Sequence, residues 1–221
     1  KIIDSYNWDF CQIQYNYMDK NFQAGKEGLK YADSKGIGVV VMEPLKGGIL
    51  VNPPEEVKKA MEGYKIRRSP VEWALLWVWN HKEVSTVLSG MSTLEQVKEN
   101  IKIADRAETG LLTSEELNFI ESVRSIYSRI KAIDCTQCKY CVPCPYGVDI
   151  PRNFALYNEA VRFGTFRSQW FLGAPWFVYN HEMKQEERAG NCQKCGECES
   201  KCPQNLPIRE LLEKVAEAFR A

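Results

Sequence analysis

Eight of the nine cysteines in this 221-residue chain lie beyond residue 134 in two short runs, and their spacing restricts the fold more than any other feature. The second run, Cys192-x2-Cys195-x2-Cys198-x3-Cys202-Pro203, has the spacing of a [4Fe-4S] ligand set. Three cysteines at i, i+3 and i+6 let one short loop wrap a cubane and place three thiolates on three iron corners. A single zinc ion takes four thiolates tetrahedrally, normally from two Cys-x2-Cys knuckles separated by a longer loop, so it gains little from this packing. The first run, Cys135-x2-Cys138-x2-Cys141-x2-Cys144-Pro145, is one residue shorter before its last cysteine. It predicts a second [4Fe-4S] cluster, with a zinc or redox Cys-x2-Cys site as the alternative. A disulfide framework needs an oxidising compartment, for which the sequence carries no leader-like signal; the expected location is cytoplasmic.

Ahead of Ile133 the pattern becomes α/β, with the single cysteine Cys11. Asp9 to Tyr15 alternates as a strand does. Residues 23–35 predict a short helix with Leu29 and Ala32 on its apolar side, broken by Gly36-Ile37-Gly38. Val39 to Met42 is a continuous apolar run of the buried, parallel-sheet kind. Capping boxes at Ser69–Glu72, Ser92–Glu95 and Thr113–Glu116 predict three helices. The first runs from Pro70 to about His81 and the second to about Ala104. The third sets Leu117, Ile120, Val123, Tyr127 and Ile130 on one face. Val84 to Leu88 reads as a third strand. Strands alternating with helices, without hairpin signals, predict βα units on a parallel sheet.

Three segments of this part, Q-I-Q-Y-N (12–16), G-I-G-V-V-V-M-E-P-L-K-G-G (36–48) and V-L-S-G-M-S-T-L-E-Q-V-K-E-N (87–100), resemble the last third of an aldo/keto reductase. The resemblance covers roughly residues 5–105. It implies the last three βα units of a partial (β/α)8 barrel, and a chemistry in which NADPH passes hydride to a carbonyl. A whole barrel takes about 250 residues, so the first five strands are expected in a missing N-terminal half or in a partner chain supplying it. The Tyr, Lys, Asp and His that the family uses in carbonyl reduction lie on those strands, and the isolated chain is expected to be inactive in that reaction.

Position by position, the resemblance places Gln12 on the nicotinamide carboxamide and Met42 where many members have a tyrosine under the ring. Pro44, Leu45, Lys46 and Gly47 would border the pyrophosphate, where a lysine and backbone N–H groups suit a polyanion. Ser89, Gly90, Met91, Gln96, Glu99 and Asn100 fall at the adenosine end. Gly90 and Gln96 stand where basic residues usually clamp a 2′-phosphate, which leaves NADP and NAD both open. For each of these residues, a plain barrel-end loop is the alternative. His81 and His181 match neither a catalytic position of the family nor a metal-ligand spacing, and His81 is expected to be structural.

The first cysteine run, followed by Y-G-V-D-I-P, resembles the ferredoxin-like domain fused to a subgroup of aldo/keto reductases. Where two such motifs share one fold, the fourth cysteine of each ligates the other cluster. The resemblance therefore implies one cluster on Cys135, Cys138, Cys141 and Cys202, and another on Cys192, Cys195, Cys198 and Cys144. The expected organisation is an aldo/keto reductase-like part over residues 1–133 and a mainly α-helical, bacterial-ferredoxin-like part over 134–221, with an inserted segment at 151–190. Pro151 to Phe163 predicts a helix. Phe163, Phe166, Trp170, Phe171, Trp176, Phe177 and Tyr179 are expected to pack as core over the clusters, or else to dock an electron-transfer partner. Pro207 to Phe219 predicts a closing helix with Ile208, Leu211, Leu212, Val215 and Phe219 on one face.

Twenty-nine basic and 29 acidic residues balance, which gives no support to a nucleic-acid partner or an anionic membrane held by bulk charge. The charge-free stretch from Ser168 to His181 is too short for a membrane span of about 20 apolar residues. The function expected is that of an iron–sulfur oxidoreductase of the aldo/keto reductase type, with electrons passing through two [4Fe-4S] clusters linked to a nicotinamide-binding barrel. The alternative is a binding module with structural iron–sulfur or zinc sites.

Overall fold

The structure, a computed structural model, describes residues 1–166 and 174–220; Trp170 and Phe171 of the aromatic run lie outside the described residues. The chain divides into two compact units, Lys1–Ile126 and Tyr127–Ala221.

In the first unit, strands β1 (Phe10–Gln14), β2 (Gly38–Met42) and β3 (Thr86–Val87) form a parallel sheet in the order β1-β2-β3. Gln12 lies opposite Val40, Gln14 opposite Met42, and Val41 opposite Val87. Period-two alternation sorts the faces: Val39 and Val41 are fully buried, whereas Phe10, Gln12 and Thr86 are exposed on the other side. Helix α1 (Gly25–Ser34) crosses from β1 to β2 with Leu29 and Ala32 buried, as the periodicity predicts. Helix α2 (Glu55–Gly63) has no counterpart in the sequence reading, because just two of its side chains, Val57 and Met61, are apolar and buried. Helix α3 (Pro70–Trp79) is buried almost all round, so it shows no polar stripe. It is followed by α4 (Leu94–Ala104) and α5 (Ser114–Arg129).

One of the three capping boxes forms where the pattern puts it and a second forms only its N-cap half, since the Glu72 carboxylate turns to Arg68 and Arg106. Ser69 Oγ accepts from the Glu72 N–H at 3.1 Å, and Thr113 and Glu116 bond reciprocally at 3.2 and 2.9 Å. The third is shifted by one residue. Thr93, not Ser92, caps α4, because Gln96 Oε1 reaches back to the N–H groups of both Ser92 (2.8 Å) and Thr93 (3.2 Å). Glu95 in that place would leave one of those donors to water.

An ion network then ties the helices of this unit. Arg68 pairs with Glu116 of α5 and, at 3.4 Å, with Glu72 of α3, while its guanidinium lies over the Trp73 ring. Arg106, beyond α4, reaches the same Glu72 at 2.9 Å. Glu116 is buried. Burial pushes its carboxyl up, but bonds from the Thr113 N–H, from Arg68 and from the Thr113 hydroxyl outweigh that and hold it below the ordinary range.

The second unit is built on α6 (Ile150–Phe163), α8 (Glu197–Ser200) and α9 (Ile208–Ala218), with a short α7 (Pro175–Phe177) running into a π-turn over Val178–Glu182. Asp149 Oδ1 accepts from Arg152 N and starts α6 at Ile150, one residue before the proline that predicts it. Gly164, at φ 66°, ends the helix in the left-handed conformation that glycine adopts without strain. The core of this unit joins Ile150, Phe154, Ile208, Leu212, Val215 and Phe219. Tyr179 stacks on Phe219 at 4.7 Å between ring centres, and Phe166 lies 5.9 Å from it, so these aromatics are core. Among the described residues no helix is long and apolar enough to cross a membrane.

The Glu116 network makes the first unit acid-sensitive. A carboxyl held low contributes stability above its unfolded pKa of about 4.3, which is lost as pH falls through the folded value. Glu116→Gln should lower the urea midpoint at pH 7, by about 1–3 kcal/mol of stability, and flatten the stability profile below pH 4. Unfolding curves of both chains between pH 7 and pH 3 read this directly.

Candidate functional site

Two asparagines inside α6 position both cysteine loops. Asn153 is fully buried; its Nδ2 donates to the carbonyls of Asp149 (2.7 Å) and Glu187 (2.8 Å), and its Oδ1 accepts from Ala189 N (2.8 Å). That fixes the backbone just ahead of Cys192. Asn158 Oδ1 accepts from Ala132 N and Ile133 N, each at 2.9 Å, and its Nδ2 donates to Ile133 O at 2.7 Å. That fixes the backbone just ahead of Cys135. Asparagine is a weak helix former, so two of them mid-helix already point away from a purely helical role.

The loops themselves repeat one backbone pattern. Gln137 and Lys139 flank Cys138 with φ of 56° and 65°, and Lys194 and Gly196 flank Cys195 with φ of 57° and 82°. Left-handed residues on both sides of the middle cysteine curl each loop around its own thiols. Beyond Cys141 the Val142-Pro143 peptide is cis.

Two hollows result. The first is walled by Cys192, Cys195 and Cys198 together with Cys144, and by the apolar Ile150 and Leu212. The second is walled by Cys135, Cys138 and Cys141 together with Cys202, and by Ile150, Phe154 and Ile208. Each therefore combines three thiols of one run with the last thiol of the other. Cys141 reaches the first hollow as well, and Ile150 stands at both.

The donor set suits a cluster better than one ion. Among the described residues no three His, Cys, Asp or Glu side chains close on a single point, whereas five cysteines line the first hollow and four the second, Cys141 being common to both. Zinc needs its sulfurs within about 2.3 Å of one centre. All nine cysteines are free thiols. Gln137 N–H already donates to Cys135 Sγ at 3.4 Å, a bond that favours a thiolate. Burial pushes the Cys135 and Cys198 thiols up, and Cys141 up to about 11. Ligation requires deprotonated sulfur, so a bound metal centre would have to supply the positive charge that the apolar walls withhold.

Of the residues aligned with a nicotinamide site, Gln12 lies within β1, Pro44 to Gly47 and Ser89 to Met91 follow β2 and β3, and Gln96, Glu99 and Asn100 lie on α4. Gln12 lies on the exposed sheet face and its Nε2 donates to Met42 Sδ at 3.1 Å. Asn100 Nδ2 donates to Ser89 Oγ at 3.2 Å. Met91 is exposed, and nothing packs within 4 Å of where a side chain at Gly90 would begin. Other expected residues are engaged within the chain. The Lys46 ammonium is neutralised by Asp19, 2.8 and 3.0 Å from its two oxygens, in the loop that also holds Pro44, Leu45 and Gly47. Gln96 caps α4, and Glu99 Oε1 accepts from Ser69 Oγ at 3.2 Å. Asn16, fully buried, organises this region: its Oδ1 accepts from Met18 N and Asp19 N, and its Nδ2 donates to Glu43 O. The sequence reading passed over Asn16 and Asp19, although an Asn three residues before an Asp in a post-strand loop is a turn signal. His81 is structural: Nδ1–H donates to Trp77 O at 2.8 Å, the Tyr15 hydroxyl lies 3.3 Å from Nε2, and burial pushes the pKa of the ring below its ordinary value.

A model of the aldo/keto reductase family matches residues 3–125, more than half of the chain. The chain belongs to the aldo/keto reductase family. Residues 134–207 match the 4Fe-4S dicluster domain, so iron–sulfur chemistry accompanies an α/β reductase-type unit built on a small parallel sheet. A segment of 112 residues, 43% of this chain, is 33% identical to L-galactose dehydrogenase of Arabidopsis thaliana, and spans about a third (34%) of that protein. Among solved structures, an aldo-keto reductase from Bacillus halodurans is similar in its holo and apo forms, at 26% identity and a TM-score of 0.45. The match covers 55% of this chain and 44% and 45% of those two.

In this aldo/keto reductase family member, both cysteine loops depend on α6. Asn153→Ala would leave the Ala189 N–H without its acceptor, at about 1–3 kcal/mol for that group, while the carbonyls of Asp149 and Glu187 each keep a backbone N–H. Hydrogen exchange should show faster opening of the α6 amides and of Ala189 N–H, with the amides of α3 unchanged.

Proposed function

We propose that this chain is the C-terminal part of an iron–sulfur oxidoreductase of the aldo/keto reductase type, with two [4Fe-4S] clusters and part of a nicotinamide site. The observation that carries the reading is the pairing of each cysteine run with the last cysteine of the other in one hollow. Cys135, Cys138, Cys141 and Cys202 would hold one cluster, and Cys192, Cys195, Cys198 and Cys144 the other. When bound, such clusters supply one-electron transfer at a potential set by their surroundings. The residues of the chain do the rest. The cysteines anchor, the Gln137 N–H favours the charged form of Cys135, and Ile150, Phe154 and Leu212 keep water from the hollows.

Bound nicotinamide would supply hydride. Gln12, beside Met42 on the exposed face of the sheet, would hold its carboxamide, and Ser89, Gly90, Met91 and Asn100 would border the adenosine end. The fit is partial, because Lys46 is already neutralised by Asp19 and Gln96 is committed to a helix cap. Three strands also leave an exposed sheet face and two edges, which the remainder of a (β/α)8 barrel would cover. The acid that protonates a carbonyl oxygen would come from that remainder, and general acid catalysis is worth about 10²–10⁴-fold. Eight free thiols suit a reducing compartment such as the cytoplasm.

Three outcomes are expected. Anaerobically prepared chain should contain about eight iron and eight inorganic sulfide, as two cubanes require; zinc without sulfide would overturn the reading. Cys144→Ser should alter the spectrum of the cluster on Cys192, Cys195 and Cys198 while the other persists. The isolated chain, free of host reductases, should oxidise NAD(P)H with aldehydes far below about 1 s⁻¹; turnover at that rate would mean that the catalytic residues lie within these 221.

A further inference from the structure

The two cysteine loops are repeats of one another, and the comparison isolates what one of them carries that holding a cluster does not require. Cys135, Cys138 and Cys141 correspond to Cys192, Cys195 and Cys198, with matching left-handed residues at Gln137 and Lys194 and at Lys139 and Gly196. Counting from those cysteines, Tyr140 corresponds to Glu197 and Val142 to Glu199. The loop at 192–202 thus fills its outward positions with charge, and every charge is paired. Glu197 meets Lys201 at 3.7 Å, Glu199 meets Arg209 at 2.8 Å, and Lys194 meets Glu213. The loop at 135–144 fills the same positions with apolar side chains. Tyr140 is 65% exposed and Val142 44%, and Tyr146, two residues beyond Cys144, is 45% exposed. Among the described residues these three are the exposed large hydrophobic side chains of the whole second unit.

Such a patch costs solubility unless something covers it. Its position indicates what. Tyr140 follows Lys139 and the exposed thiol Cys138, both of which line the second hollow, and Tyr146 lines the first, so the patch borders both hollows on their solvent side. Among the described residues Lys139, between Cys138 and Tyr140, has no ion-pair partner, while every other charged side chain of the two cysteine loops has one. The uncompensated charge at the patch is positive.

We propose that Lys139, Tyr140, Val142 and Tyr146 form the docking edge for an acidic one-electron carrier protein. The proposal rests on the reading that the second hollow holds a cluster. Apolar contact at this edge brings the carrier's redox centre to the point of closest approach, and Lys139 steers a negative rim. In each encounter one electron leaves the reduced cluster and one enters the carrier, and no bond or proton changes hands.

The internal repeat supplies the test. Tyr140→Glu with Val142→Glu installs the residues that the equivalent loop already tolerates, so the double variant should load both clusters. Dithionite-reduced chain is mixed in a stopped-flow instrument with an acidic [2Fe-2S] ferredoxin as probe, and separately with benzyl viologen. The parent should reduce the ferredoxin at a rate that falls with ionic strength. The double variant should be at least about tenfold slower, and Lys139→Glu should be slower with a reversed salt dependence. Iron content and the viologen rate should match the parent in every variant. Ferredoxin rates within about twofold of the parent would overturn the proposal. A basic cytochrome reacting as fast as the ferredoxin would overturn its charge assignment. A parent that sediments as a dimer, and a variant that does not, would give the patch to a second copy of the chain and overturn it too. Absence of iron in the parent would instead defeat the cluster reading beneath it.

Discussion

The second unit depends on hydrogen bonds from two buried side-chain amides. Asn153 and Asn158 lie five residues apart on α6, and between them they satisfy the backbone on the approach to both cysteine runs. A cysteine loop has no sheet or helix of its own to place it, and it must hold four sulfurs at fixed separations around a cage. Buried backbone groups without partners are costly, so amides that satisfy them fix where each loop begins. From those two fixed points the left-handed residues around Cys138 and Cys195 turn the loops inward. Ile150 then serves both hollows from the first turn of the same helix. One helix thus acts as the frame for two sites.

The first unit is organised on the other principle available to a small sheet. Its apolar face is covered by helices, and Arg68, Glu72, Arg106 and Glu116 link the segments that hold those helices in place. The post-strand loops are shaped by Asn16, which pairs with three backbone groups and with the Asp19 carboxylate. In both units, then, a buried asparagine determines the conformation of the loop that carries the residues of interest. The contrast lies in charge. Lys46 in the strand-end loop is already neutralised by Asp19, whereas among the described residues nothing neutralises Lys139 beside the second hollow.

Much of this was legible from residues. The alternation in Asp9–Tyr15, the apolar run at Val39–Met42 and the caps at Ser69 and Thr113 all report local physics, and local physics decides those elements. The box at Ser92 slipped to Thr93 because Gln96 satisfies two donors, a choice that spacing cannot rank. Helix α2 was invisible because two buried apolar side chains make no periodic signal. The cysteine runs were legible as a pair of repeated motifs. The residues that hold them were not, since an asparagine within a helix reads as a weak helix former until its partners, up to thirty-six residues away, are known. The distinction between Tyr140 and Glu197 needed both the repeat and the exposure of each loop.

The central claim is that each hollow gathers three sulfurs from one run and the fourth from the other. Iron anomalous scattering from anaerobically grown crystals of the loaded chain tests it most directly. Two four-iron peaks are expected, one bounded by Cys135, Cys138, Cys141 and Cys202 and the other by Cys192, Cys195, Cys198 and Cys144. A peak bounded by Cys135, Cys138, Cys141 and Cys144 together would contradict the account.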